Sequence, residues 1–244
     1  MQRYKLTLEY DGTCFCGYQV QPEKRTVESE LERALEKIYG TKVKTFASGR
    51  TDAKVHSLGQ VVHFDEPREI KNDIMNTLNA FLPDDVKVSS IEKVGEEFDA
   101  RFNAKKKTYG YHFYLSRYEK PLMINRSVRL NDNLNIEKMK EACKYLIGEH
   151  DFTSFVARKS GKTNFVRIIY NAEILNIGQN EFMLKITGNG FLYNMVRIIM
   201  GTLVKVGEGK IKPEQVKDII EAKDRQMAGK TLAPHGLYLL KVEY

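Results

Sequence analysis

The spacing of the apolar residues changes within the first 40 residues, and this switch limits the possible folds more than any other feature. Tyr4-Lys-Leu-Thr-Leu-Glu-Tyr10 sets an apolar side chain at every second position, the repeat of a half-buried strand, and Asp11-Gly12 breaks it. Thr26 then reads as an N-cap; Val27, Leu31, Ala34, Leu35 and Ile38 keep helical spacing, and Gly40 ends the run. Residues 42–47 and 60–64 read as strands around a polar loop. A helix over 71–81 ends at Pro83, and strands follow over 86–93 and 108–115. In the second half, Ile136, Met139, Ala142, Cys143, Leu146 and Ile147 form one helical face that ends at Gly148. Strands are predicted over 166–177 and 182–187, a long apolar helix over 191–206, a shorter one over 213–222 with proline in its first turn, and a closing strand over 237–242. This order predicts an α+β protein of two similar α/β units, each with a mainly antiparallel sheet flanked by helices, over residues 1–104 and 105–244.

A chain of 244 residues with 42% hydrophobic and 29% charged side chains can bury a full core, which excludes a disordered tail or a disulfide-stapled miniprotein. No apolar run approaches the roughly 20 residues of a membrane span, and the amino terminus lacks an apolar leader, so a cytoplasmic protein is expected. Cys14, Cys16 and Cys143 contain no CxxC pair and read as reduced thiols. The net charge of +7 is unevenly divided: residues 1–104 carry −3 and residues 105–244 carry +10. A basic half on a soluble chain suits a polyanionic partner, RNA or DNA, because each neutralised phosphate releases condensed counterions.

Several chemistries lack their motifs. There is no GxxxxGK[ST], no GxGxxG after a strand, no HExxH and no GxSxG, and the five histidines have no metal-ligand spacing. Neither a cofactor nor a metal is expected. The unusual segment is the loop Ser48-Gly-Arg-Thr-Asp-Ala-Lys-Val-His56, which puts a carboxylate beside a guanidinium between two strands. Such a loop can be ordinary turn chemistry with a surface ion pair. It can also hold a partly buried aspartate ionised beside arginine, ready as a nucleophile or base. His56, the last residue of the segment, and His63 beyond it read as structural hydrogen-bonding groups.

That loop, with Gly59-Gln-Val-Val-His-Phe64 after it, resembles the catalytic motif of the TruA family of tRNA pseudouridine synthases. Tyr10-Asp-Gly12 with Phe15-Cys-Gly-Tyr-Gln19 resembles the family's amino-terminal motif, and Ala100-Arg-Phe102 leading to Lys107-Thr-Tyr-Gly-Tyr111 its tyrosine motif. His150-Asp-Phe-Thr-Ser-Phe155, Gly190-Phe-Leu-Tyr-Asn-Met-Val-Arg197, Ala222-Lys-Asp-Arg225 and Ala233-Pro-His-Gly-Leu-Tyr-Leu239 continue the series in order, so the resemblance spans nearly the whole chain. There are two departures. Lys54 stands where the family usually has glycine, and Tyr18 where it usually has tryptophan. If position 54 needs positive φ, a lysine there costs about 1 kcal/mol, and it can add a phosphate contact.

The resemblance implies the pseudouridine synthase fold with an active-site cleft between the units, and isomerisation of uridine at positions 38, 39 and 40 of the tRNA anticodon stem-loop. It implies Asp52 as the catalytic carboxylate and nucleophile, with addition to C6, attack on C1′ and abstraction of a sugar proton all open. Arg197 is the expected salt-bridge partner, and Arg50 the residue that contacts RNA or fills the place of the flipped nucleotide. Tyr109 is expected against the target base, with Phe191 and Leu192 as the apolar wall; spacing alone makes all three equally suited to a core, as Tyr111 is. Extruding the base costs a few kcal/mol. Lys105, Lys106 and Lys107, and Arg158, Lys159 and Lys162, form two basic runs suited to offsetting that cost at phosphates. A homodimer is implied as well, with the apolar 191–206 helix able to bury an interface. The competing readings are a non-catalytic RNA-binding module and a nucleoside hydrolase, and the second lacks a partner carboxylate in the loop.

Overall fold

The computed structural model describes residues 1–68, 73–157 and 164–244. Residues 71 and 72 of the expected second helix, and Arg158, Lys159 and Lys162 of the second basic run, lie outside them. Two compact units are formed, Met1–Lys105 with Leu239–Tyr244, and Lys106–Tyr238. The last six residues thus cluster with the first unit, whereas the sequence reading assigns the whole tail to the second.

The first stretch contains β1 (Gln2–Tyr10), α1 (Val27–Tyr39), β2 (Thr45–Ala47), β3 (His56–Glu66), α2 (Ile74–Phe81) and β4 (Val86–Val94). The second contains β5 (Lys106–Leu115), β6 (Val128–Leu130), α3 (Ile136–Cys143), β7 (Gly148–Asp151), β8 (Val166–Gly178), β9 (Glu181–Gly188), α4 (Met195–Gly207) and α5 (Gln215–Ala222), and β10 (Leu237–Glu243) closes the chain. In the first unit the strand order is β4-β1-β3-β10, with β2 also on β3. In the second it is β5-β9-β8-β7, with β6 on the edge of β5. The pairs of β1 with β3 and β4, of β5 with β9, and of β8 with β7 and β9 are antiparallel, and β6 on β5 is parallel.

The alternation in β1 is realised as burial. Tyr4, Leu6, Leu8 and Tyr10 face a core shared with Leu31 and Leu35 of α1, Leu78 of α2, and Val62 and Phe64 of β3. Thr26 caps α1 reciprocally with Ser29: its Oγ1 accepts from the Ser29 amide at 3.3 Å, and Ser29 Oγ accepts from the Thr26 amide at 3.2 Å. Gly40 ends the helix at φ 70°.

Several elements differ from the sequence expectation. Pairing with β3 begins only at Thr45, so the strand expected over 42–47 is half as long. β6 and β7 are too short for a period to show, and β7 starts where the expected helix face ended, after a 3-10 turn over Lys144–Leu146. The helix expected from residue 191 begins at Met195, because Asn194 is left-handed at φ 61°, which ends any helical run through it. Phe191 and Leu192 are therefore loop residues. The apolar surface of α4 is used within its own unit, with Ile198, Ile199, Met200, Leu203 and Val206 all buried, so it is not left over for a second copy. Among the described residues no helix is long and apolar enough to cross a membrane.

Thr26→Ala should lower the unfolding free energy by about 1 kcal/mol in urea titration, because the cap is buried and reciprocal. An unchanged midpoint would mean that packing alone fixes the start of α1.

Candidate active site

The 49–56 loop leaves β2 and enters β3, and nearly every turn of it is tied down. At its entrance the Ser48 amide donates to the Val61 carbonyl at 2.8 Å. Gln60, fully buried, takes the Ser48 hydroxyl at 2.8 Å and donates from Nε2 to the Gly49 carbonyl at 2.8 Å. The Thr51 hydroxyl bonds the Tyr10 hydroxyl at 2.8 Å, and the Thr51 carbonyl accepts the Tyr18 amide at 3.0 Å. Burial pushes the Tyr10 hydroxyl up to about 12, so it stays protonated for this bond. The Lys54 amide donates to the Phe15 carbonyl at 3.3 Å, and the Gly12 amide donates to Nδ1 of His56 at 3.0 Å.

The first sequence motif and the loop are therefore one structure. A Cβ on Gly12 would overlap the Val55 carbonyl, so only glycine lets the two backbones close. Gly17 lies against the Thr51 carbonyl and has φ 100°. Tyr18, the departure from tryptophan, is fully buried and supports the loop through its backbone.

Asp52 is half-buried at the first position of a turn in which its carbonyl accepts the Val55 amide at 3.2 Å. Lys54, at the third position, has φ 65°. The other departure thus occupies a left-handed conformation that glycine adopts without cost. Its side chain is exposed, as is that of Arg50. Burial holds the Glu28 carboxyl above the usual carboxylate range, and Arg50 and Lys44 pull it the other way, so the Arg50 guanidinium lies within electrostatic reach of Glu28.

In the second unit, Tyr109 lies on β5 opposite Ile186 of β9. It is half-buried and meets Phe191 edge to face, with ring centroids 5.0 Å apart at 79°. Phe191 is half-buried and Leu192 buried. Tyr111, two residues on, is the core aromatic: it is fully buried, and its hydroxyl donates to the Ala233 carbonyl at 2.7 Å. Burial raises its hydroxyl well above the ordinary value, and nearby Arg197 offsets part of that rise. Arg197, in the first turn of α4, donates from Nε to the Leu232 carbonyl and from Nη1 to Asn194 Oδ1, both at 2.7 Å. Left-handed Asn194 thus both starts the helix and orients the guanidinium. Of the first basic run, Lys105 and Lys106 are exposed and Lys107 is half-buried. The Lys106 ammonium lies 5.2 Å from the Tyr170 ring centroid.

A family model described as tRNA pseudouridine synthase matches residues 7–103 and 142–244. The chain belongs to the tRNA pseudouridine synthase family. The tRNA pseudouridine synthase A of Anoxybacillus flavithermus is 49% identical over 247 residues, covering 100% of this chain and 99% of that protein. Its counterpart in Bacillus subtilis is 47% identical over 245 residues, covering 99% of each, and that of Exiguobacterium sp. is 46% identical over 245 residues, covering 100% and 98%. The protein is therefore an isomerase of the tRNA-modifying class, as its sequence motifs led one to expect. A solved archaeal box H/ACA sRNP complex aligns with 91% of this chain and 59% of its own at 14% identity and a TM-score of 0.37.

The bracing side chains Tyr10, Ser48 and Gln60 are absent from the expected site set. Their signal was present in the two motifs, but spacing does not reveal that one motif packs on the other.

Opposite effects are expected at two positions of this loop. Gly12→Ala should cost about 1–3 kcal/mol, because the methyl group must displace a backbone carbonyl. Lys54→Gly should leave stability equal or raise it by up to about 1 kcal/mol, as relief of the left-handed strain competes with the greater freedom of glycine in the unfolded chain. Urea midpoints that move together, both down, would contradict the strain at Lys54.

Proposed function

We propose that this enzyme converts uridine to pseudouridine at positions 38, 39 and 40 of the tRNA anticodon stem-loop, with Asp52 as its catalytic carboxylate and no cofactor. The supporting observation is the braced loop: a half-buried aspartate on a backbone held from Gly12, Phe15, Tyr18 and Gln60 is set for one reacting position. The reaction breaks the N1–C1′ bond, turns the uracil and forms a C5–C1′ bond; N1 gains a proton and C5 loses one. No electrons leave the substrate, so no redox partner is required.

In this reading Asp52 is the nucleophile toward the flipped nucleotide, and Arg197 is the cation that keeps it ionised. Arg50 contacts RNA or takes the place of the extruded base. Tyr109, fixed edge to face by Phe191, offers the uracil a π surface and its hydroxyl a route for the C5 proton. Phe191 and Leu192 supply an apolar wall that keeps water from the broken glycosidic bond. Lys105, Lys106 and Lys107, with Arg158, Lys159 and Lys162, bind phosphates. The protein works in the cytoplasm as a homodimer.

The test is tritium release from tRNA labelled at uridine C5, since isomerisation must expel that hydrogen. Wild-type protein should release it, and Asp52→Ala should reduce release to background while still binding tRNA. Binding without release by the wild-type protein would instead leave a non-catalytic RNA-binding module. The affinity of either protein should fall steeply between low and moderate salt, as phosphate contacts dictate.

A further inference from the structure

Phe102 is 79% exposed, the most exposed aromatic ring among the described residues. A single exposed apolar side chain is ordinary in itself. Three observations set this one apart. First, its backbone is fixed. Asp99 Oδ1 accepts the amides of Arg101 at 2.7 Å and Phe102 at 2.8 Å; Asn103 Oδ1 accepts the Asp99 amide at 2.5 Å, and the Asn103 amide donates to the Asp99 carbonyl at 3.1 Å. The turn is anchored from below, where the amide of fully buried Ala100 donates to His63 Nδ1 at 3.1 Å and its carbonyl accepts the Tyr244 hydroxyl at 2.7 Å.

Second, the Arg101 guanidinium sits over the Phe102 ring, 5.4 Å from its centroid. Third, the chain that follows the turn is basic: Glu96, Glu97 and Asp99 precede it, but from Ala100 to Tyr118 there are Arg101, Lys105, Lys106, Lys107 and Arg117, and no Asp or Glu. A rigid exposed ring with a guanidinium over it, at the head of a basic segment, has the features that recognise an unpaired nucleobase and its phosphate.

The place of the turn separates it from the reacting base. Tyr10, which holds Thr51, pairs with Ser57 on β3, whereas the Phe102 turn is anchored at His63. Six residue steps of extended strand separate these points, about 20 Å. We propose that Phe102, with Arg101, is a stacking platform for an unpaired nucleobase of the bound tRNA other than the uridine that reacts. This extends the reading of tRNA as substrate and depends on it.

The chain has no tryptophan, so Phe102→Trp introduces a single indole at the platform. Adding tRNA to F102W should quench its emission, and tRNA binding should stay close to wild type. F102A should weaken binding about tenfold with an unchanged salt slope, since stacking releases no counterions. R101A should lower that slope by about one. The thermal midpoint of F102A should match wild type, because the ring packs against little. An unquenched indole together with wild-type affinity in F102A would overturn the proposal. So would a shift of F102W emission with protein concentration in the absence of RNA, which would make the ring a protein contact. Wild-type tritium release, measured in parallel, keeps the two readings apart: its loss would refute the isomerisation reading and not the platform.

The same anchor gives a pH dependence. Burial, together with the charge of nearby Arg3, holds the His63 imidazole below its ordinary 6.5 against the pull of Asp99 and Asp65, and Nδ1 must be unprotonated to accept from Ala100. The unfolded chain therefore takes up the proton first, so this contribution is full above about pH 6.5 and is lost as pH falls below it. His63→Asn, which can retain an acceptor, should flatten the loss of stability between pH 7 and 5. Superimposable pH profiles for the two proteins would refute the assignment.

Discussion

The close approach of Gly12 to Val55 is the contact on which the conformation of the aspartate loop depends. It lets the 10–19 segment lie directly on the 49–56 loop, so that amides and carbonyls of one satisfy those of the other. A loop between two strands would otherwise leave its polar backbone to water and sample many conformations. Here Thr51, Lys54 and His56 each have a partner in the first motif, and Asp52 lies among them. The pinned backbone also accounts for Lys54 at positive φ. With the Lys54 amide bound to Phe15 and the turn closed from Asp52 to Val55, the conformation is set by its neighbours, and the side chain has to adopt it.

The second unit uses a different device for a similar end. There, side chains are oriented by sheet register and a helix start. β5 places Tyr109 beside Phe191 and sends Tyr111 into the core, an alternation that separates a half-buried ring from one that holds the unit together. The left-handed Asn194 ends the preceding loop and takes one nitrogen of Arg197, while the Leu232 carbonyl takes another. An arginine with two fixed donors on the first turn of a buried helix has little freedom left.

Histidine plays one role twice. His56 and His63 each accept a backbone amide on Nδ1, from Gly12 and Ala100, and each ties a turn to β3. β3 thus carries the aspartate loop near one end and the exposed Phe102 turn toward the other, a spacing set by strand rise. A large substrate such as tRNA can be held at points separated in this way, so that binding energy gathered away from the reacting base contributes to its distortion.

Much of this was legible in the sequence. The two-residue alternation of β1, the cap and stop of α1 and the β8–β9 hairpin follow from local patterns that a neighbouring element does not reverse. The motif series singled out the aspartate loop, Tyr109 and Arg197, and the structure shows each of them held by its neighbours. What the sequence left undecided depends on contacts between distant segments. The late start of α4 follows from one asparagine entering the left-handed region, and β6 and β7 exist only because a neighbouring strand offers hydrogen bonds. The burial of α4 inside its own unit, against the expectation of an interface, depends on which neighbours cover it. That the Tyr10–Gln19 motif and the aspartate loop form one hydrogen-bonded body was likewise decided by the tertiary structure, because local spacing fixes a residue's own conformation but not the distant backbone that its donors and acceptors meet.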